Sequence, residues 1–255
     1  MLASPAMRPP VDTITAPPFP TGLPWVNVAT LRMDKQAGRP VLVEFWDFCR
    51  VNSLRTLPYL KAWHDRYGGD GLRIIGVHSP GFPPSRDPEA VRAAVARLGI
   101  SYPVLVDSAL EVWHLYENLG WPARYLFDAR QTLAEFHYGE GAYQGTERAI
   151  QAALGREGEP VLAPLRPEDA PGVVLEPQTA DQPGAYSGPY EAGGVWAVLE
   201  GSGEVHVGGR AIRIEHTGCH PLLEHERHTA GVLDLRVGPG LICHATCFTP
   251  GLPPA

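Results

Sequence analysis

A chain of 255 residues, 44% hydrophobic and 19% charged, has the make-up of a globular protein with room for one large domain or two modest ones. Its formal charge of -7 argues against a broad electrostatic surface for nucleic acid or anionic lipid. No apolar run approaches the roughly 20 residues that a membrane span needs, and four irregularly spaced cysteines do not make a small disulfide scaffold.

Residues 1–24 carry the proline pairs Pro9-Pro10 and Pro17-Pro18 and read as an extended arm. The arm has no apolar core of the kind a secretory signal uses, so a reducing cytoplasm is the expected compartment. Residues 25–157 alternate between strand and helix patterns. Val41-Leu42-Val43-Glu44-Phe45-Trp46 predicts a strand over about 40–46, and a helix follows over about 50–67, kinked by Pro58. A second strand is expected at 72–78. Asp87-Pro88 marks a helix start, with Val91, Val95 and Leu98 on the buried face and Gly99 at the end. A strand at 102–107, a helix over about 109–119, a strand pair at 124–128 and 133–138, and a helix over about 145–155 complete the unit. This alternation predicts a largely parallel sheet covered on both faces.

Residues 158–185 are rich in proline, glycine and acidic residues and read as a linker, with Val173-Val174-Leu175 as its one strand candidate. Residues 186–255 change character. Runs at 195–200, 204–207, 211–216, 222–224, 231–237 and 241–248 are separated by glycine turns, and Gly201-Ser202-Gly203 and Gly208-Gly209 are hairpin signals. They predict a small antiparallel β-sandwich of jelly-roll type.

The chemistry sits in Phe45-Trp46-Asp47-Phe48-Cys49-Arg50-Val51-Asn52-Ser53-Leu54-Arg55-Thr56-Leu57-Pro58. A strand ending in Phe-Trp, a cysteine-bearing turn and a proline-bearing helix resemble the active-site segment of thioredoxin-like proteins. The match is to the TlpA/redoxin (AhpC/TSA-like) branch, and within it to the soluble redox domain of DipZ-type proteins. Those carry Phe-Trp, three residues, then Cys-x-x-Cys-Leu-Arg-Thr-Leu-Pro. The resemblance implies an α/β thioredoxin-like fold over about 15–155 and the thiol-redox class. Glu200 to Gly209 and Gly238-Pro239-Gly240-Leu241 are similar to the β-domain that follows the redox domain in the same proteins.

Aligned without gaps, Arg50 and Ser53 fall on the two family cysteines, and Cys49 stands one residue early. Thioredoxin chemistry needs one thiolate to attack and a second to resolve the mixed disulfide. Neither arginine nor serine does this, and a one-residue slip only brings Asn52 to the second position. The resemblance also implies roles for other residues. Glu44 takes the place of a buried carboxylate below the cysteines, with a surface glutamate as the bland alternative. Trp121-Pro122 matches the loop that holds a cis-proline against the cysteine turn. Trp46, Trp121 and Pro122 would then border an edge that pairs with a protein thiol or peptide partner. Arg124 invites comparison with peroxiredoxins, where an arginine beside a single cysteine holds peroxide, although their Pro-x-x-x-Thr-x-x-Cys signature is absent.

Elsewhere, Cys243 and Cys247 are expected on one face of a strand, too far apart to bridge, with Cys219 free to pair with either across strands. His225-x-x-His228 and Cys219-His220 lack the spacing of a β-barrel metal site. No phosphate loop, dinucleotide fingerprint or Ser-His-Asp order is present, so no cofactor or metal is expected. Two readings of function remain. Cys49 acts as a monothiol nucleophile at a helix N-terminus beside Arg50, or it is an inert buried residue in a non-catalytic binding or scaffolding module.

Overall fold

The computed structural model describes residues 14–254, so Pro9-Pro10 of the expected arm lies outside the described residues. Within the arm's remainder, Thr15 bridges Thr132 and the amide of Ala16 donates to Gln131 O at 2.9 Å.

The first unit runs β1 (Trp25–Val26), β2 (Val41–Trp46), α1 (Val51–Tyr67), β3 (Arg73–His78), α2 (Pro88–Arg97), β4 (Val104–Val106), α3 (Glu111–Leu115), β5 (Ala123–Phe127), β6 (Leu133–Tyr138) and α4 (Tyr143–Ala153). Its strands form one sheet in the order β1-β4-β3-β2-β5-β6. Parallel pairing is confined to β2–β3 and β3–β4, while β1–β4, β2–β5 and β5–β6 pair antiparallel, so the expectation of a largely parallel sheet is corrected to a mixed one. The physical reason is loop length. β5 and β6 are joined by a tight turn at Asp128, whose carboxylate accepts from the amides of Arg130 and Thr132, and a turn that short returns the chain antiparallel.

β2 is central and buried on both faces. Its alternation sends Val41, Val43 and Phe45 toward one apolar cluster with Met33, Tyr116 and Phe127. Leu42 and Trp46 face the other cluster, with Leu57, Leu60 and Trp63 of α1. Pro58 lies inside α1, which runs through it from Val51 to Tyr67. α2 starts as expected, with the Asp87 carboxylate accepting from the amide of Glu89 at 3.0 Å. α3 is shorter than expected. It starts after Leu110 in the left-handed region and is anchored by Asp107, which accepts from the amides of Val112 and Trp113.

The expected linker is not a free tether. Val173-Val174-Leu175 forms no strand, and a 3-10 turn occupies Pro167–Asp169. Arg55 pairs with Glu140 at 2.8 Å and with Glu168 at 2.9 Å, while Arg166 pairs with Asp169 at 3.0 Å. The amides of Leu162 and Leu165 donate to Glu147 and to the hydroxyl of Tyr59. These contacts lay the segment along α1 and α4.

The second unit comprises β7 (Gln182–Pro183), β8 (Ser187–Gly201), β9 (Gly203–Val207), β10 (Arg210–Ile214), β11 (Gly218–Val237) and β12 (Leu241–Thr249). They form an antiparallel sheet in the order β10-β9-β11-β8-β12-β7, consistent with a β-sandwich-like unit. Gly208 and Gly209 join β9 to β10 with φ of +55° and +78°, the conformation that two-residue hairpin turns require. The two runs expected at 222–224 and 231–237 belong to one long strand, β11, with a register shift between Glu224 and Thr229.

β8 serves two cores. Val195, Ala197 and Leu199 enter the second unit's own cluster. Val198 joins the first unit's cluster, together with Cys219, Ala245 and Cys247, and Trp196 packs against it. The second sheet is thereby seated on the first unit, and the amide of Cys219 donates to Phe48 O at 3.3 Å.

Candidate functional site

The turn between β2 and α1 is organised by Asp47, which is fully buried. Its carboxylate accepts from the amide of Cys49 at 2.9 Å, the amide of Gly81 at 2.7 Å and the hydroxyl of Ser85 at 3.1 Å. His78 Nε2 lies 3.5 Å from the same carboxylate and accepts from the amide of Phe48 at 3.4 Å. A buried carboxylate is tolerated only when its lone pairs are taken up in this way.

Closing the turn on Asp47 points the Cys49 side chain inward, and its exposure is 0%. Burial pushes the thiol well above its ordinary value, and the Asp47 carboxylate pushes further in the same direction. Ser85, Arg50 and Arg97 pull it down without reversing this. Of the two readings of Cys49, its burial favours the inert one, because desolvation outweighs the helix end.

The two positions aligned with the family cysteines are engaged otherwise. Ser53 is buried, and its hydroxyl oxygen accepts from the amide of Asp47 at 3.2 Å. Arg50 caps α1 and lays its guanidinium over two rings, 4.8 Å from the centroid of Phe82 and 4.6 Å from that of Trp121. A Cβ at Gly81 would come within 2.7 Å of Arg50 Nε and 3.0 Å of Asp47 Oδ2, so only glycine leaves room for this arrangement.

The Trp121–Pro122 peptide is cis. Trp121 is half-buried, lies tilted against Trp113 with centroids 4.1 Å apart and donates from Nε1 to Ser79 O at 2.8 Å. Pro122 is buried. Trp46 is 1% exposed and meets His78 edge-on, so its expected place at a substrate edge is corrected to the core. Of the three aromatic and proline residues expected at that edge, Trp121 alone reaches the surface.

Glu44 and Arg124 face each other across β2 and β5. Burial pushes the Glu44 carboxyl up to about 8, and Arg124 offsets only part of this. Glu44 Oε1 has no hydrogen-bond partner among the described residues. The Arg124 guanidinium donates to Gly141 O at 2.6 Å and lies 5.0 Å from the Tyr143 ring centroid. The cations that bear on Cys49 are Arg50 and Arg97, and the peroxiredoxin-like pairing of Cys49 with Arg124 is corrected accordingly.

The remaining thiols differ from expectation as well. All four cysteines are free. A bulge between Cys243 and Ala245 adds a residue to β12, so Cys243 faces the second unit's own core while Cys247 faces the first unit. The expected shared face is lost to that one extra residue. Cys219 lies on β11, which β8 separates from β12, so cross-strand pairing with Cys243 or Cys247 is not available. His225 engages Tyr190 and His228 engages Pro177 O, and no group of three or more His, Cys, Asp or Glu side chains is placed to hold a metal among the described residues.

Sequence reasoning missed Asp47, Gly81, Phe82 and Ser85. Only Asp47 left a trace, as an acidic residue between two aromatics at the end of an apolar strand.

No protein-family model matches the chain. Over 177 residues it is 33% identical to protein DipZ of Mycobacterium bovis, which covers 68% of this chain and 25% of that protein. The chain therefore spans about a quarter of that relative's length. Over 130 residues it is 27% identical to the thiol-disulfide oxidoreductase YkuV of Bacillus subtilis, covering 51% of this chain and 87% of YkuV. The crystal structure of a thioredoxin-like superfamily protein superposes with a TM-score of 0.52 at 21% identity, covering 58% of this chain and 100% of the other, which establishes the fold. The chain has a thioredoxin-like fold of the TlpA type and is homologous to part of DipZ.

Proposed function

We propose that this chain is a thioredoxin-fold binding module that holds an extended peptide at the Trp121–Pro122 edge and does not exchange disulfides with external substrates. The burial of Cys49 at 0% exposure carries this reading. A thiol without solvent contact does not meet an incoming disulfide, and Arg50 and Ser53 supply no second sulfur. The cis-proline edge offers a surface, with Leu119 at 83% and Leu115 at 42% exposure close to Trp121 in the chain. Backbone pairing with an extended segment, plus apolar contact with those leucines, is the mode of recognition that suits it.

Two measurements on the full chain test the reading. Insulin reduction should stay at the dithiothreitol background. Thiol-blocked insulin B chain, used as an extended probe, should shift amide resonances around residues 119–123 equally in wild type and in Cys49→Ala. Turnover above background would restore the monothiol reading, and no shift at that edge would remove the binding reading.

A further inference from the structure

The same thiol that is closed to solvent shares its apolar cluster with another thiol of its own chain. The amide of Cys219 donates to Phe48 O at 3.3 Å, which sets the start of β11 against the residue pair Phe48-Cys49. Gly218, with φ of +156°, gives β11 a backbone conformation that an L side chain rarely adopts, immediately before the contact. Such a bond sets the Cα atoms of Cys219 and Phe48 about 5 Å apart, with Cys49 the next residue in the chain, close to the span of about 4.4–6.8 Å that a disulfide needs. Cys49 and Cys219 also belong to one apolar cluster, where Phe48 and Val198 pack around them. The remaining thiol of that cluster, Cys247, is a poorer partner for Cys219. β8 lies between their strands, two strand spacings or about 9.5 Å, beyond the reach of a bridge.

We propose that Cys49 and Cys219 form a built-in oxidation site, at which a hydroperoxide joins the pair into a disulfide that ties the second sheet to the turn before α1. With hydrogen peroxide as oxidant, one thiolate takes an oxygen atom, the O–O bond breaks, and a sulfenic acid and one water result. The second thiolate attacks that sulfur, the S–S bond forms, the S–O bond breaks, and the oxygen leaves as a second water. Each thiol gives up one electron and one proton, and the peroxide takes both electrons. Cys219 feels the charge of Cys247 first and of Cys49 next, so both sulfurs lie near it, and the order of the strands decides between them. Burial makes the reaction wait on local opening, and the product then cannot be reached by bulky external thiols.

This site does not depend on the peptide-binding reading. The test uses the wild-type full chain, so folding of a variant does not decide it. The protein is treated with hydrogen peroxide at mildly alkaline pH, unfolded with excess iodoacetamide, digested without reduction and mapped by mass spectrometry. The expected product is a Cys49–Cys219 linked peptide, with Cys243 and Cys247 recovered alkylated. Cys247→Ser should give the same linked peptide, and Cys219→Ser should lose it. A Cys219–Cys247 link, or recovery of Cys49 and Cys219 as separate peptides, would overturn the proposal.

Discussion

The amide of Cys49 donates to the Asp47 carboxylate at 2.9 Å, and this short closure turns the thiol inward and away from the mouth of the fold. Access then ranks the four thiols. Cys243, half-buried on β12, should alkylate first in the native protein. Cys49, Cys219 and Cys247 should label only on unfolding, because burial both shields them and disfavours their thiolates. Peptide mapping after a short iodoacetamide pulse checks the order, and early labelling of Cys49 would contradict the inward turn.

Restoring sulfur at the aligned positions tests the alignment itself. Arg50→Cys with Ser53→Cys should create insulin reduction above background. The double variant loses the hydrogen bond from the Asp47 amide and the stacking of Arg50 on Phe82 and Trp121. Together these should cost about 1–2 kcal/mol in urea unfolding. A folded but inert double variant would mean that the seated second sheet, and not the missing thiols, closes the site.

Glu44 predicts a pH dependence with a definite sign. Its carboxyl titrates near 8 in the folded chain against an ordinary 4.5, so the folded state holds a proton that the unfolded state has released. Stability should therefore be greatest below about pH 4.5 as far as this group is concerned, and fall as pH rises through 8. The slope is at most about 1.4 kcal/mol per pH unit. Glu44→Gln should flatten the curve in that window. Urea midpoints measured from pH 5 to 9 for both proteins decide it, and identical slopes would refute the assignment.

Arg55 joins α1 to the segment that connects the two units, through Glu140 and Glu168. Removing it leaves two half-shielded carboxylates with only the longer contacts to Arg166, at 3.9 Å each, which should cost about 2 kcal/mol. Arg55→Ala should also expose residues 160–172 to limited proteolysis well before global unfolding. A cleavage rate equal to wild type would show that the apolar contact of Leu162 is sufficient to hold the segment.

The first unit was legible because its signals are local. Val41 to Trp46 is an apolar strand broken only by Glu44, Asp87-Pro88 carries its own cap, and Trp121-Pro122 sits in a recognisable loop. The orientation of Cys49 was not legible, because it depends on an Asp47 carboxylate whose other partners, Gly81 and Ser85, lie more than thirty residues away. The continuity of β11 was hidden by the polar run His225-Glu226-Arg227-His228, which has no apolar alternation to betray a strand. The bulge before Ala245 defeated the even-spacing argument for Cys243 and Cys247, since strand periodicity gives no warning of one added residue. The docked linker rests on ion pairs between distant segments and leaves no periodic trace at all.

Over 195–199, β8 has no outer side. Its odd-numbered Val195, Ala197 and Leu199 belong to one interior, and Val198 with Trp196 to the other. A wall shared by two rooms cannot be taken down for one of them alone. Melting should accordingly be cooperative across the whole described chain, with a single calorimetric transition and matching calorimetric and van't Hoff enthalpies. Truncation near residue 157 should leave a first unit that is sticky and prone to self-association, because the apolar surface around Phe48 and Cys49 would lose its cover.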